Sequence, residues 1–198
     1  MSYNSKIYIN IKQLLQTRDA EDFYVPGNKM DELPKIHNAY LLIENGIIMD
    51  FGNMANIPKK LKNSEVIDLS NSFVMPTWCD AHTHSVFAGN RSNEYIMRLQ
   101  GLTYKQIADN GGGILKTTQE IKNISEQELY SISLKRILKM IQNGSGGLEI
   151  KSGYGLSYES ELKILNVIKK LKDNLPIEIK STFLGAHAYP KELTKKEY

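Results

Sequence analysis

The sequence reads Val74-Met75-Pro76-Thr77-Trp78-Cys79-Asp80-Ala81-His82-Thr83-His84 where an apolar segment meets a His-x-His pair. Side chains alternate between the two faces of a β-strand, so Asp80, His82 and His84 would share one face. Two imidazoles on one face can both reach a metal ion at about 2.0–2.1 Å, and neutral imidazole suits zinc, iron or nickel. The stretch therefore predicts a strand carrying half of a metal site. A pair of ordinary core or surface histidines is the alternative, because two ligands do not hold a catalytic metal.

The residues before this stretch predict β-strands joined by turns. Asn45-Gly46 between two apolar runs is typical of a type I′ hairpin turn, which needs two residues with positive φ. Residues 27–34 have the composition of a loop. The segments with strand character are 6–15, 40–49 and 65–69. We predict that residues 1–75 form a β-rich, sandwich-like segment, in which the isolated His37 is a structural or surface histidine.

The residues after Pro76 predict strands that alternate with helices. Ser125-Glu126-Gln127-Glu128 has the pattern of a capping box, and apolar residues follow at helical spacing until Asn143-Gly144. A strand at 147–151, a second helix that must end before Pro176, and a strand at 177–184 complete the pattern. Such alternation favours a parallel sheet, either doubly wound or closed into a barrel.

Polar residues follow each predicted strand of this part. His82 and His84 end the first, Tyr154 lies in the Lys-Ser-Gly-Tyr-Gly segment after the second, and His187 follows the third. In a parallel barrel the carboxyl ends of the strands form the rim where active sites are built, so we expect these side chains in one site. Tyr154 as a packed turn residue and His187 as a core histidine remain open, and Lys151 could pair with an acid such as Glu149.

The glycine run Gly111-Gly112-Gly113 has neither the dinucleotide-binding nor the P-loop spacing. We interpret it as a flexible loop near the same rim.

Composition limits the possible functions. The 198 residues are 41% hydrophobic and 24% charged, as in a globular protein of one or two domains. The net charge of +3 is spread along the chain and gives no support to nucleic-acid binding. A single cysteine, Cys79, excludes an internal disulfide and fits a reducing compartment. Without a signal peptide or an apolar run of about 18 residues, we expect no membrane association and a cytoplasmic location.

Five segments carry a resemblance to a known family, namely 82–91, 98–104, 111–115, 149–155 and 182–188. Together they resemble the imidazolonepropionase family of the amidohydrolase superfamily, from about residue 36 onward. His-x-His is shared by the whole superfamily, whereas its combination with the segments around Tyr154 and His187 is specific to this family. The resemblance implies a TIM-like (β/α)8 metal-dependent hydrolase barrel, begun by residues 76–198, with residues 1–75 in a small composite domain.

The family's activity is hydrolysis of 4-imidazolone-5-propanoate, a small molecule, to N-formimidoyl-L-glutamate in histidine degradation. By resemblance, His82 and His84 are ligands of one divalent metal ion, Zn²⁺ or Fe, which activates a water. Arg91, Tyr154 and His187 contact the substrate, His187 also as a catalytic residue, and Tyr104 is a weaker candidate. The family also implies a homodimer.

The chain departs from the family in two respects. Thr77 replaces a common glycine, and Trp78-Cys79 replaces an aliphatic pair. Three predicted barrel strands also fall short of the eight in a complete barrel. The family's remaining ligands, a His and an Asp that serves as general base, have no counterpart. We therefore expect the N-terminal part of the enzyme, inactive alone. Another amidohydrolase, such as a purine or pyrimidine deaminase, and a noncatalytic truncated chain remain alternatives.

Overall fold

The computed structural model describes residues 5–16, 24–58, 64–190, 193–194 and 196–198. The chain divides into two compact units, residues 1–76 and residues 77–198. In the described ranges no helix has the length and apolar character needed to cross a membrane.

The first unit is a five-stranded sheet. The spatial order is β3-β2-β1-β4, and β5 also pairs with β1. Antiparallel pairing joins β1 to β2 and β2 to β3, whereas β4 and β5 run parallel to β1. Its strands are β1 (Ser5–Leu15), β2 (Lys35–Glu44), β3 (Ile47–Asn53), β4 (Glu65–Asp68) and β5 (Phe73–Val74). A small apolar core contains Ile11, Leu14, Ala39 and Leu41.

The predicted hairpin is confirmed in this sheet. Asn45 and Gly46 join β2 to β3 with φ values of 52° and 81°. Both are positive, as a type I′ turn requires, and Asn and Gly are the residues that tolerate this conformation. His37 lies exposed on β2, and its carbonyl accepts a hydrogen bond from Asn53 Nδ2 at 2.7 Å.

The second unit is a three-stranded parallel sheet with helices. The strand order is β6-β7-β8, and both pairings are parallel. Parallel neighbours need a long crossover connection, which α5 provides between β7 and β8. The strands are β6 (Trp78–Thr83), β7 (Ser145–Lys151) and β8 (Glu178–Thr182); the helices are α1 (Ser92–Leu99), α2 (Tyr104–Asp109), α3 (Ile114–Asn123), α4 (Glu126–Gln142) and α5 (Tyr158–Asn174).

The two faces of β7 differ in polarity. Leu148 and Ile150 are fully buried in a core that they share with α4 and α5. Glu149 and Lys151 alternate with them and form an ion pair, as one reading of the sequence proposed. Thr182 Oγ1 on β8 donates to Glu149 Oε1 at 2.7 Å. One face of the sheet is therefore apolar beneath the helices, and the other carries charged and polar side chains.

Local signals predicted α4 and α5 well. The Ser125 capping box is present, α4 ends before Gly144, whose φ is 98°, and α5 ends before Pro176. The third strand is shorter than predicted. It ends at Thr182, and the chain then forms a 3-10 turn, Gly185–His187, so His187 lies outside the strand.

The region between β6 and α4 contains three helices that the sequence analysis did not predict. Thr103 and Gln106 form a capping box that starts α2. The run Gly111–Gly113 separates α2 from α3, as a loop was predicted to do. Gly113 is buried, and its N–H donates to Glu94 Oε1 at 2.8 Å, which fixes the end of this loop.

The opening stretch is not one continuous strand, so that prediction needs correction. Val74 belongs to β5 in the first sheet, whereas β6 begins at Trp78 and ends at Thr83, one residue before His84. The pairing of β6 with β7 is also irregular between Asp80 and Thr83. Such an irregularity interrupts the strict alternation of side chains between the two faces. The prediction that Asp80, His82 and His84 share one face of a regular strand therefore loses its basis. Asp80 Oδ1 instead accepts from the backbone N–H of His82 at 3.2 Å.

We predict that Ile164→Ala lowers the free energy of unfolding by about 2–5 kcal/mol, because Ile164 is fully buried and its truncation leaves a cavity. Leu162→Ala on the same helix is the control, since Leu162 is 43% exposed and should cost less than about 1 kcal/mol. Urea unfolding of the purified chain measures both values. Equal losses would show that the core of the second unit is not where the structure places it.

Candidate metal and substrate site

Two histidines lie together at the end of β6. The ring centroids of His82 and His84 are 5.9 Å apart, with the ring planes inclined by 51°. His82 is exposed, whereas His84 is partly buried. Nδ1 of His84 is buried and has no hydrogen-bond partner among the described residues. A buried polar atom normally has a partner, so this nitrogen points to an interaction with a group outside the protein chain.

The electrostatic environment favours the neutral form of His84. Burial lowers the pKa of His84, and the nearby His187, His82 and Lys151 lower it further because they disfavour a second positive charge. The backbone of Ser152 opposes this decrease, although no hydrogen bond of ordinary geometry reaches Nδ1. A neutral imidazole has a free lone pair, which metal binding requires.

The ends of β7 and β8 bring two further predicted residues to His84. The ring centroid of Tyr154 lies 4.7 Å from that of His84, with an interplanar angle of 24°. His187 stacks on His84 at 4.9 Å and lies 5.8 Å from Tyr154. Two segments that are far apart in sequence therefore place their rings against the imidazole of His84.

Gly153 permits this close approach. Its φ is +112°, and a Cβ built there would lie 2.7 Å from both His187 Cβ and the Leu184 carbonyl oxygen. Both distances are shorter than real Cβ contacts, so a larger residue would push the loop after β7 away from the loop after β8. Ser152 also joins these loops, since its Oγ accepts from the backbone N–H of Leu184 at 2.9 Å.

Glu161 holds the loop that carries Tyr154. Glu161 is only 5% exposed, and its carboxylate accepts hydrogen bonds from the backbone N–H groups of Gly153, at 3.0 Å, and Gly155, at 2.6 Å. A buried carboxylate is costly unless donors satisfy it, and here the loop backbone supplies them. The sequence analysis missed Glu161. The available signal was its position on the buried stripe of α5, three residues before Ile164 and seven before Ile168.

A cavity of about 400 Å³ opens beside these rings. Arg91 belongs to it, with its guanidinium carbon 5.8 Å from the centroid of the Tyr154 ring. Arg136, the second arginine, makes the lining positively charged and suits it to an anion. The lining residues are His84, Phe87, Gly89, Asn90, Arg91, Thr117, Arg136 and Tyr154.

Arg136 organises the segment that follows His84. Its guanidinium carbon lies 3.7 Å from the centroid of the Phe87 ring, and its N–H groups donate to the carbonyl oxygens of Ser85 and Phe87. Burial lowers the pKa of Arg136 from its usual value. Nothing in the sequence distinguished Arg136 from the other basic residues of α4, because its role depends on contacts with a distant segment.

Two further expectations concern Tyr104 and the number of metal ligands. Tyr104 is 63% exposed at the start of α2 and does not line the cavity. Among the described residues, no group of three His, Cys, Asp or Glu side chains is arranged to hold a metal ion. In the part of the chain that the structure describes, His82 and His84 therefore have no third such side chain beside them that would complete a metal site.

Comparison with curated proteins finds close relatives. The chain is 52% identical over 183 residues to imidazolonepropionase of Christiangramia forsetii and 50% identical over 186 residues to that of Flavobacterium psychrophilum. It is 43% identical over 194 residues to that of Clostridium tetani. These matches cover 92%, 94% and 97% of this chain but 44%, 45% and 46% of the relatives. The chain thus spans less than half the length of the relatives it matches. No protein-family model matches it.

Solved structures show the fold. Escherichia coli guanine deaminase matches 90% of this chain with 36% of its own, at a TM-score of 0.60 and 15% identity. Aspergillus niger ochratoxinase matches 92% of this chain with 31% of its own, at a TM-score of 0.54 and 17% identity. The predicted fold class is confirmed, because the parallel β6-β7-β8 sheet with its helices and the likeness to these two enzymes fit the first part of a TIM-like barrel.

We predict that Glu161→Gln destabilises the chain by about 1.5–3 kcal/mol, because an amide cannot replace the charged acceptor of two backbone N–H groups. Glu159→Gln is the matched control, since Glu159 is exposed in the same helical turn. Urea unfolding compares the two variants. A loss no larger for Glu161→Gln than for Glu159→Gln would contradict the assigned role.

Proposed function

We propose that this chain is part of an imidazolonepropionase, a metal-dependent hydrolase that converts 4-imidazolone-5-propanoate to N-formimidoyl-L-glutamate in histidine degradation. The observation that carries the proposal is the convergence of His84, Tyr154 and His187 beside a cavity lined by Arg91. The identity of 43–52% to curated imidazolonepropionases supports it. The guanine deaminases found among solved structures share far less identity, so a deaminase is the weaker reading.

His82 and His84 would hold one divalent metal ion, zinc or iron. The lowered pKa of His84 and its buried Nδ1, which has no hydrogen-bond partner among the described residues, support this assignment. Atrazine chlorohydrolase TrzN from Arthrobacter aurescens matches this chain at a TM-score of 0.53 and 9% identity, and its structure is of a complex with zinc. When bound, such an ion would act as a Lewis acid that promotes attack of water on the ring amide carbon.

Arg91 is proposed to bind the propanoate group of the substrate. A guanidinium presents parallel N–H groups that match the two oxygens of a carboxylate. Arg91 lines the cavity and reaches over the Tyr154 ring, so a carboxylate bound there would leave the planar imidazolone ring near the three aromatic rings.

Tyr154 and His187 are proposed to orient the imidazolone ring. Their rings flank His84 at 4.7 and 4.9 Å, and flat rings of this kind favour offset stacking with a planar substrate. His187 is exposed, so its ring nitrogens can hydrogen-bond the substrate carbonyl as negative charge develops on that oxygen. Water adds to this carbonyl carbon, and the ring carbon–nitrogen bond then breaks.

The proton acceptor for the attacking water is proposed to lie in the remainder of a longer protein, on the Asp that the family resemblance implies. We further propose a cytoplasmic homodimer that acts on a small molecule and binds neither nucleic acid nor membrane. The moderate net charge of +3 supports the exclusion of nucleic acid.

The proposed activity is tested in a protein of the relatives' full length that contains this sequence. We expect hydrolysis of 4-imidazolone-5-propanoate, and we expect His82→Ala or His84→Ala to remove most bound metal and nearly all turnover, because each removes a direct ligand. His37→Ala, at an exposed histidine of β2, is the control. Metal analysis by plasma emission gives the readout. Full metal content in either site variant would overturn the half-site, and absence of turnover in the unsubstituted protein would favour a noncatalytic chain.

Arg91→Ala should lower kcat/KM by about tenfold to a hundredfold or more, because it removes a charge-assisted hydrogen bond to the carboxylate. Arg91→Lys should restore part of the loss, since an ammonium cannot form the planar fork. Arg98→Ala, at an exposed arginine of α1, is the control. Steady-state kinetics and metal analysis measure the effects. An equal loss with an analogue that lacks the carboxylate would make Arg91 structural.

A further inference from the structure

Thr117 contacts Arg91 inside the cavity. It lies on α3 and is 5% exposed. Its Oγ1 accepts hydrogen bonds from Arg91 Nε at 3.2 Å and from Arg91 Nη2 at 3.1 Å. One buried hydroxyl therefore binds two donors of the same guanidinium.

These two donors form one edge of the guanidinium. The group can bind a carboxylate through its side edge, made by Nε and Nη2, or through its end edge, made by Nη1 and Nη2. Thr117 occupies the side edge. Within the described part of the chain, Nη1 of Arg91 has no hydrogen-bond partner, so the end edge is the one available to a ligand.

The second arginine of the cavity differs in this respect. Arg136 directs its Nη1 and Nη2 groups to the carbonyl oxygens of Ser85 and Phe87. Its end edge is therefore used by the backbone. Of the two cations that line the cavity, Arg91 is the one with this edge free for an anion.

We infer that Thr117 is a positioning residue for Arg91. By occupying the Nε–Nη2 edge it fixes the guanidinium plane and directs the Nη1–Nη2 edge to the carboxylate of a small acidic substrate. This inference rests on the proposed function and deepens it, because it names the residue that sets recognition of the carboxylate. Arg91 is exposed, so without this contact the long side chain would sample several rotamers.

The test substitutes Thr117 in the protein of the relatives' full length. Thr117→Val keeps the shape and removes the acceptor, and Thr117→Ser keeps the acceptor. Thr118→Val is the matched control, because Thr118 Oγ1 donates to Ile114 O in its own helix, at 3.0 Å, and does not line the cavity. We expect Thr117→Val to raise KM about five- to thirtyfold with kcat and metal content little changed. Thr117→Ser and Thr118→Val should stay close to the unsubstituted protein.

Two further measurements separate positioning from packing. In an Arg91→Ala background, Thr117→Val should have no additional effect, because the group that it orients is gone. Calorimetric binding of imidazole-4-propanoate should weaken in Thr117→Val, whereas binding of 4-methylimidazole should not. Equal weakening of both ligands, or a full effect in the Arg91→Ala background, would overturn the inference. Failure of the proposed function would appear separately, as absent turnover in the unsubstituted protein with the binding difference retained.

Discussion

The candidate site depends on the parallel pairing of β6, β7 and β8. Because parallel strands end at the same edge of a sheet, the segments that follow them must meet there. The register between β7 and β8, in which Lys151 faces Thr182, brings both strands to an end at the same level. Tyr154 and His187, about seventy and about one hundred positions further along the chain, thus become neighbours of His84. No single segment carries enough functional side chains to form a site, and the sheet brings the segments together.

A second constraint is the short distance between the loops after β7 and β8. Gly153 allows it because it lacks a Cβ, and Glu161 stabilises it by accepting N–H groups from the same loop. The buried carboxylate is stable only while those donors remain in place, so the position of Tyr154 is coupled to the packing of α5. Ring stacking around His84 is therefore maintained by backbone geometry and by a helix side chain outside the cavity.

Sequence patterns predicted the elements whose signals are local. Asn45-Gly46 specifies its turn through positive φ, and Ser125 specifies the start of α4 through a capping box. Strand ends followed by polar residues also indicated which rings would gather. The contacts of Thr117 and Glu161 could not be predicted, because each joins segments that only tertiary packing brings together. The end of β6 before His84 was missed for the same reason, since its pairing irregularity with β7 has no mark in the sequence.

The central claim is that the ends of three strands form one site, and paramagnetic NMR tests it directly. Cu²⁺, which binds imidazole strongly, would be added in substoichiometric amounts to the purified chain with assigned histidine and tyrosine ring resonances. We predict that the resonances of His82 and His84 broaden at the lowest Cu²⁺ concentration. Those of His187 and Tyr154 should broaden together with them, because their rings lie 4.9 and 4.7 Å from that of His84. His84→Ala should abolish this selectivity. Sharp His187 and Tyr154 resonances alongside broadened His82 and His84 resonances would contradict the account.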